Sequence, residues 1–115
     1  MAETSTSLHL DLDALKELKQ VMGNEFSLLI ETFTGDSAVR IETIKQAVAS
    51  GEPEAIRRAA HSFKGSAGNM GATTLTNLCR SLEEKGCNGE IVGCEQLLDQ
   101  LVEEYQQVRS VLVTL

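Results

Sequence analysis

The sequence predicts an all-α protein, an antiparallel up-down four-helix bundle with a short additional helix at its N-terminal end. Three observations carry this reading. Apolar residues recur at three- and four-residue spacing over nearly the whole chain. The connections marked by Gly, Asn and Pro are short, which favours antiparallel neighbours. β-branched runs are few and aromatics make up only 3% of the residues, which argues against an all-β sandwich. The 115 residues, 42% of them hydrophobic, suit one core. Residues 1–7 are expected to form a flexible tail, and 8–115 a single domain.

Leu12, Leu15, Leu18 and either Val21 or Met22 mark the short first helix. Asp11 and Asp13 lie near the positive end of its dipole. Gly23-Asn24 breaks the chain, and Asn24 is placed to cap the second helix. Phe26, Leu29, Ile30, Phe33, Ser37, Ile41, Ile44 and Val48 give that helix over about 25–50. Gly35 weakens it by roughly 1 kcal/mol without ending it. Ser50-Gly51-Glu52-Pro53 closes it and opens a third helix over 53–69, with Pro53 at the first helical position and Glu52 and Glu54 near the dipole. The third helix turns Ile56, Ala59, Ala60, Phe63, Ala67 and Met70 to the core. After a turn at Asn69-Met70-Gly71, Leu75, Leu78, Cys79 and Leu82 define a fourth helix over about 72–86. Gly86-Cys87-Asn88-Gly89 reads as the next turn. The last helix, about 90–113, carries Ile91, Cys94, Leu98, Leu101, Tyr105, Val108 and Leu112 in a near-heptad stripe suited to bundle packing.

Acids outnumber bases 17 to 10, for a net charge of −7. That argues against general nucleic-acid binding, which draws its affinity from Lys and Arg on phosphates. The charge is not evenly spread. Between Ala55 and Leu82 there is no Asp or Glu, while Arg57, Arg58, Lys64 and Arg80 contribute +4, so the remainder carries −11. This stretch runs against the acidic average of the chain. No segment approaches the roughly 18 apolar residues of a membrane helix. The polar start, Met1 to Ser7, lacks the features of a signal peptide, so a reducing, cytoplasmic setting is expected. Cys79, Cys87 and Cys94 form no C-x-x-C pair, which suggests neither a disulfide framework nor a zinc site. Cys79 and Cys94 fall at core positions, and Cys87 falls in a loop, where a thiol is open to reaction.

The third helix has two faces. Stepping roughly 100° per residue groups its apolar side chains in one sector. Arg57, His61, Lys64, Gly65 and Gly68 share another. Two glycines inside a helix cost roughly 1 kcal/mol each. They either let a neighbouring helix pack closely or keep the surface beside His61 low, so that a large partner can reach the imidazole. As a metal ligand His61 lacks company, because the other histidine, His9, falls in the N-terminal tail. Gly65-Ser66-Ala67-Gly68 is not a nucleophile elbow, and Lys64-Gly65-Ser66 is not a phosphate-binding loop. What remains is either a plain boundary residue of an amphipathic helix or His61 as a nucleophile itself. Neutral imidazole keeps a free lone pair near pH 7, and a nearby lysine would steady a phosphoryl group.

Ala60-His61-Ser62-Phe63-Lys64-Gly65-Ser66-Ala67-Gly68-Asn69-Met70-Gly71-Ala72, followed by Leu75, Leu78-Cys79 and Leu82-Glu83, resembles the histidine-containing phosphotransfer (HPt) domains of multistep phosphorelays. The family pattern runs A-H-x-L-K-G-s-a-x-x-x-G-A, then L-x-x-L-C-x-x-L-E. Only Phe63 departs, where leucine is commoner. The helix plan matches over about 8–113, and the short form is similar to free-standing bacterial members. The resemblance implies that His61 accepts a phosphoryl group from a receiver-domain aspartate and passes it to another. The donors and acceptors would be hybrid sensor histidine kinases and response regulators. It implies that Lys64 balances phosphate charge, Gly65 gives the receiver clearance, and Glu83 holds the other ring nitrogen of His61. Arg57, Arg58 and Arg80 are candidates to contact the receiver. No cofactor is expected on this chain, the receiver supplying Mg²⁺. No ATP-binding pattern is present, so a phosphocarrier rather than a kinase is expected, acting as a monomer without membrane or nucleic acid. The alternative is a helical adaptor that docks receivers without carrying phosphate.

Overall fold

The structure is a computed structural model that describes residues 9–115, so the expected tail at 1–7 lies outside the described residues. Among the described residues five helices succeed one another: α1 Leu12–Met22, α2 Glu25–Ser50, α3 Pro53–Asn69, α4 Thr73–Cys87 and α5 Cys94–Leu112. Among the described residues there is no strand, and no helix is long and apolar enough to cross a membrane. Helices α2 to α5 close a ring in which α2 packs on α3, α3 on α4, α4 on α5 and α5 back on α2. Helix α1 lies mainly against α2. This is the up-down bundle with a short leading helix that the spacing predicts.

The ends of the helices obey local chemistry. Asp11 caps α1, its Oδ1 accepting from the Ala14 N–H at 3.1 Å. Pro53 begins α3, where its missing N–H costs nothing. Gly51 and Gly71 close α2 and the α3–α4 turn in the left-handed region, at φ +70° and +72°. Asn24 does not cap α2. Its backbone is already helical and its side chain bonds no helix amide, so the chain turns from α1 to α2 within two residues.

The core is built from the expected stripes. Phe26, Ile30, Phe33, Ile41, Ile44 and Val48 of α2 meet Ile56, Phe63 and Ala67 of α3, Leu75, Cys79 and Leu82 of α4, and Leu101, Tyr105, Val108 and Leu112 of α5. Tyr105 stands between two phenylalanines, 6.4 Å from Phe33 and 6.3 Å from Phe63 by ring centroids. Burial pushes the Cys79 thiol up to about 12, which marks it as an apolar filler.

Several expectations outside the central core are corrected. The last helix begins at Cys94 rather than near 90, because Gly93 takes φ +89° and the chain loops from Asn88 to Gly93. Ile91 is therefore 44% exposed and does not start the α5 stripe. In α1, Leu18 and Val21 face solvent, and the short helix buries only Leu15 fully. His9 is not in a loose tail. Its Nδ1 lies 2.7 Å from Glu104 Oε2 on α5, and neighbouring Leu10 is buried in the core. Cys87, read as a loop residue, is the exposed last residue of α4.

Candidate functional site

The site forms where α3 and α4 lie side by side. Phe63, Ala60 and Ala67 anchor α3 by complete burial, and Leu75, Cys79 and Leu82 do the same for α4. The register leaves His61 on the outer face of α3 and brings Glu83 across from it. The two helices come into backbone contact at Gly86. A Cβ there would sit 2.6 Å from the Pro53 carbonyl oxygen and 2.7 Å from the Arg57 amide nitrogen. No side chain fits, so glycine is what lets the end of α4 rest on the start of α3.

Glu83 joins the two expected working residues. Its Oε2 lies 2.8 Å from His61 Nδ1, and its Oε1 lies 2.7 Å from Lys64 Nζ as an ion pair. Glu83 is 16% exposed, whereas the His61 side chain is 63% exposed. The close ammonium of Lys64 holds the Glu83 carboxyl below its ordinary value. Partial burial opposes this, and the imidazole hydrogen bond adds to it. An ionised carboxylate can only accept, so Nδ1 must carry the proton it donates. The neutral ring then keeps its lone pair on Nε2, which has no hydrogen-bond partner among the described residues. The arrangement fixes one tautomer and presents one nucleophilic nitrogen to solvent.

The two glycines of α3 separate. Around Gly65 an added Cβ would meet nothing within 4 Å, so no internal packing requires its small size. At Gly68 it would lie 3.9 Å from Thr76 Oγ1, ordinary contact on the α4 side. Gly65 thus leaves open space one turn after His61, and Gly68 lies along the helix interface.

The arginines are less free than the charge count suggests. Glu54 takes Arg57 in two hydrogen bonds, at 2.9 Å to Nε and 2.5 Å to Nη2. The same carboxylate lies 3.8 Å from Arg58 Nε, though Arg58 remains 71% exposed. Arg80 donates to Asn77 Oδ1 at 2.5 Å on the outer side of α4. The acid-free stretch from 55 to 82 is therefore bracketed by two acids, Glu54 and Glu83, that reach back and pair with Arg57, Arg58 and Lys64. Its net field is weaker than +4 implies.

Sequence reasoning missed Gly86, Glu54 and Arg40. The i, i+3 and i, i+4 spacing of Glu54 to Arg57 and Arg58 was available as a signal. Nothing in the spacing marks Gly86 as a contact between helices, or Arg40 of α2 as a donor to Ser62 Oγ beside His61. Among the described residues no three His, Cys, Asp or Glu side chains gather as a metal site. The carboxylate beside His61 is occupied by the imidazole and Lys64.

Comparison with known proteins bears on the chain as a whole. The family model described as Hpt domain matches residues 28–111. The crystal structure of histidine-containing phosphotransfer protein B (HptB) from Pseudomonas aeruginosa PAO1 is similar, with 38% sequence identity, 92% of each chain covered and a TM-score of 0.86. No curated protein sequence matches the chain.

Proposed function

The chain belongs to the histidine-containing phosphotransfer family, and on that premise we propose that His61 carries a phosphoryl group between the aspartates of receiver domains. The supporting observation is the exposed imidazole held at Nδ1 by Glu83 at 2.8 Å. In the reaction the Nε2 lone pair attacks the phosphorus of an aspartyl phosphate. The N–P bond forms as the acyl O–P bond breaks, and the aspartate leaves as its carboxylate. No proton has to move, because Nδ1 keeps its own against Glu83. The ring becomes a cation with the ionised Glu83 beside it, and Lys64 supplies positive charge for the phosphoryl oxygens. The return step reverses the same bonds.

Gly65 gives the receiver room to close over Nε2. Arg57, Arg58 and Arg80 lie on the faces that flank His61 and Glu83, where they serve the docking partner. Mg²⁺ belongs to the receiver rather than to this chain. We place the protein in the cytoplasm, acting as a monomer, with hybrid sensor kinases and response regulators as the sources of those receivers. It is a carrier with no ATP-dependent kinase activity of its own.

The test is incubation with a phosphorylated receiver domain in the presence of Mg²⁺. An acid-labile label is expected on the wild-type chain and is lost in His61→Gln. Equal labelling of both proteins overturns the assignment.

A further inference from the structure

We propose that Arg40 is a partner-binding residue, whose guanidinium binds a carboxylate of the docking receiver domain on the α2 side of His61. This rests on the reading that receivers dock at His61.

Arg40 is half-buried on α2 and has no counter-ion among the described residues. Its Nη1 donates to Ser62 Oγ, and its Nε is buried with no hydrogen-bond partner there. Arg57, Arg58 and Lys64 each lie within 4.0 Å of a carboxylate, and Arg40 does not. Asp36, one turn earlier, lines the same groove without pairing to it. Taking a cation partly out of water without an anion is unfavourable. A receiver carboxylate would relieve that cost.

The location fits such a partner. Arg40, Asp36, Val39, Thr43, Ala59 and Ser62 line a groove of about 290 Å³ between α2 and α3. Val39 is 67% exposed on its rim. Around α3, at roughly 100° per residue, Lys64 lies on one side of His61 while Gly65, Arg58 and Ser62 come in turn on the other. An object that reaches the imidazole across Gly65 therefore overlies Ser62 and the groove. Lys64 already stands beside the phosphoacceptor, and Arg40 is anchored a helix face away. The anion it takes thus belongs to the docking protein rather than to the phosphoryl group. The partner's matching edge carries an acid next to a small apolar side chain, which faces Val39 and Ala59. In a chain of net charge −7, such an acid needs a dedicated cation.

The experiment titrates Mg²⁺-loaded receiver domains into the wild-type chain and into Arg40→Met, Arg40→Lys and Ser62→Ala, at low and high salt. Arg40→Met is expected to raise Kd about tenfold, as loss of a charge-assisted hydrogen bond would. Arg40→Lys recovers part of that, and Ser62→Ala weakens binding less. Arg40→Met also flattens the salt dependence. The lifetime of phosphorylated His61 and the melting temperature stay as in the wild type. Wild-type Kd in Arg40→Met overturns the proposal, whether or not its melting temperature falls. A changed phosphohistidine lifetime at unchanged Kd also overturns it, assigning Arg40 to the phosphoryl group. If the wild-type chain binds receivers but takes no label, the carrier reading fails and Arg40 is still judged on Kd. If no receiver binds the wild-type chain, both readings fall.

Discussion

Glu83 holds His61 and Lys64 at once, one carboxylate oxygen 2.8 Å from Nδ1 and the other 2.7 Å from Nζ. A single acid thereby sets the tautomer of the imidazole and stations the cation next to it. Lys64 is the largest cause of the lowered Glu83 titration. The folded-state value lies below the ordinary 4.5, so the stabilisation from this pair is complete above that pH. It is lost as pH falls through the lowered folded value. NMR titration of the Glu83 carboxyl carbon should give a midpoint under 4.5, and Lys64→Ala should move it back up. A wild-type midpoint at or above 4.5 contradicts this.

Lys64→Ala is expected to slow transfer by about tenfold, the effect of losing roughly 1.5 kcal/mol of charge-assisted contact to the phosphoryl group. Its fold should be nearly intact, since such partly exposed ion pairs contribute no more than about 1 kcal/mol. Single-turnover rates beside thermal melts check both halves. Unchanged rates remove the charge role.

Gly65 and Gly86 should respond in opposite directions to alanine. Gly65→Ala gains up to about 1 kcal/mol of stability, because its new methyl meets nothing and the helix loses a flexible residue. Gly86→Ala loses about 1–3 kcal/mol, because the methyl collides with the backbone of Pro53 and Arg57. Urea denaturation of the two variants separates them. Gly65→Gln should block transfer while the melting temperature holds, and undiminished transfer would deny Gly65 its clearance role.

Phe63→Ala should cost about 3–5 kcal/mol. The ring is fully buried and meets Tyr105 edge-on at 6.3 Å. Equilibrium unfolding measures the loss, and a change under about 1 kcal/mol would mean that the neighbouring helices collapse into the space.

Much of this was legible in the sequence, for physical reasons that differ by residue. The bounds of α2 and α3 come from Gly51, Pro53 and an unbroken three-four spacing, all local features. The two faces of α3 were readable because one rotation per residue decides them. Ile91 was misread because periodicity extends past the point where Gly93 turns the backbone left-handed. Asn24 was misread because a capping side chain has no task where the backbone is already helical. The His61–Glu83 distance and the need for Gly86 depend on how closely two helices approach, which no single helix encodes. From the residues alone, helical geometry put Glu83 only at the edge of the α4 core face, where it could equally be a solvated acid. Its partnership with the histidine came through family likeness. Nothing in the spacing distinguishes Arg40 from the other cations, and it is the buried Nε left without a hydrogen-bond partner among the described residues that sets it apart.

The backbone contact at Gly86 also bears on how quickly partners can be exchanged. Two helices welded at one end hold His61 and Glu83 in their working geometry before any partner arrives. Little ordering remains to be done on docking, so little entropy is lost there. On the carrier reading, successive receivers would meet a preformed site, and the pace of exchange would be set by how soon each one departs.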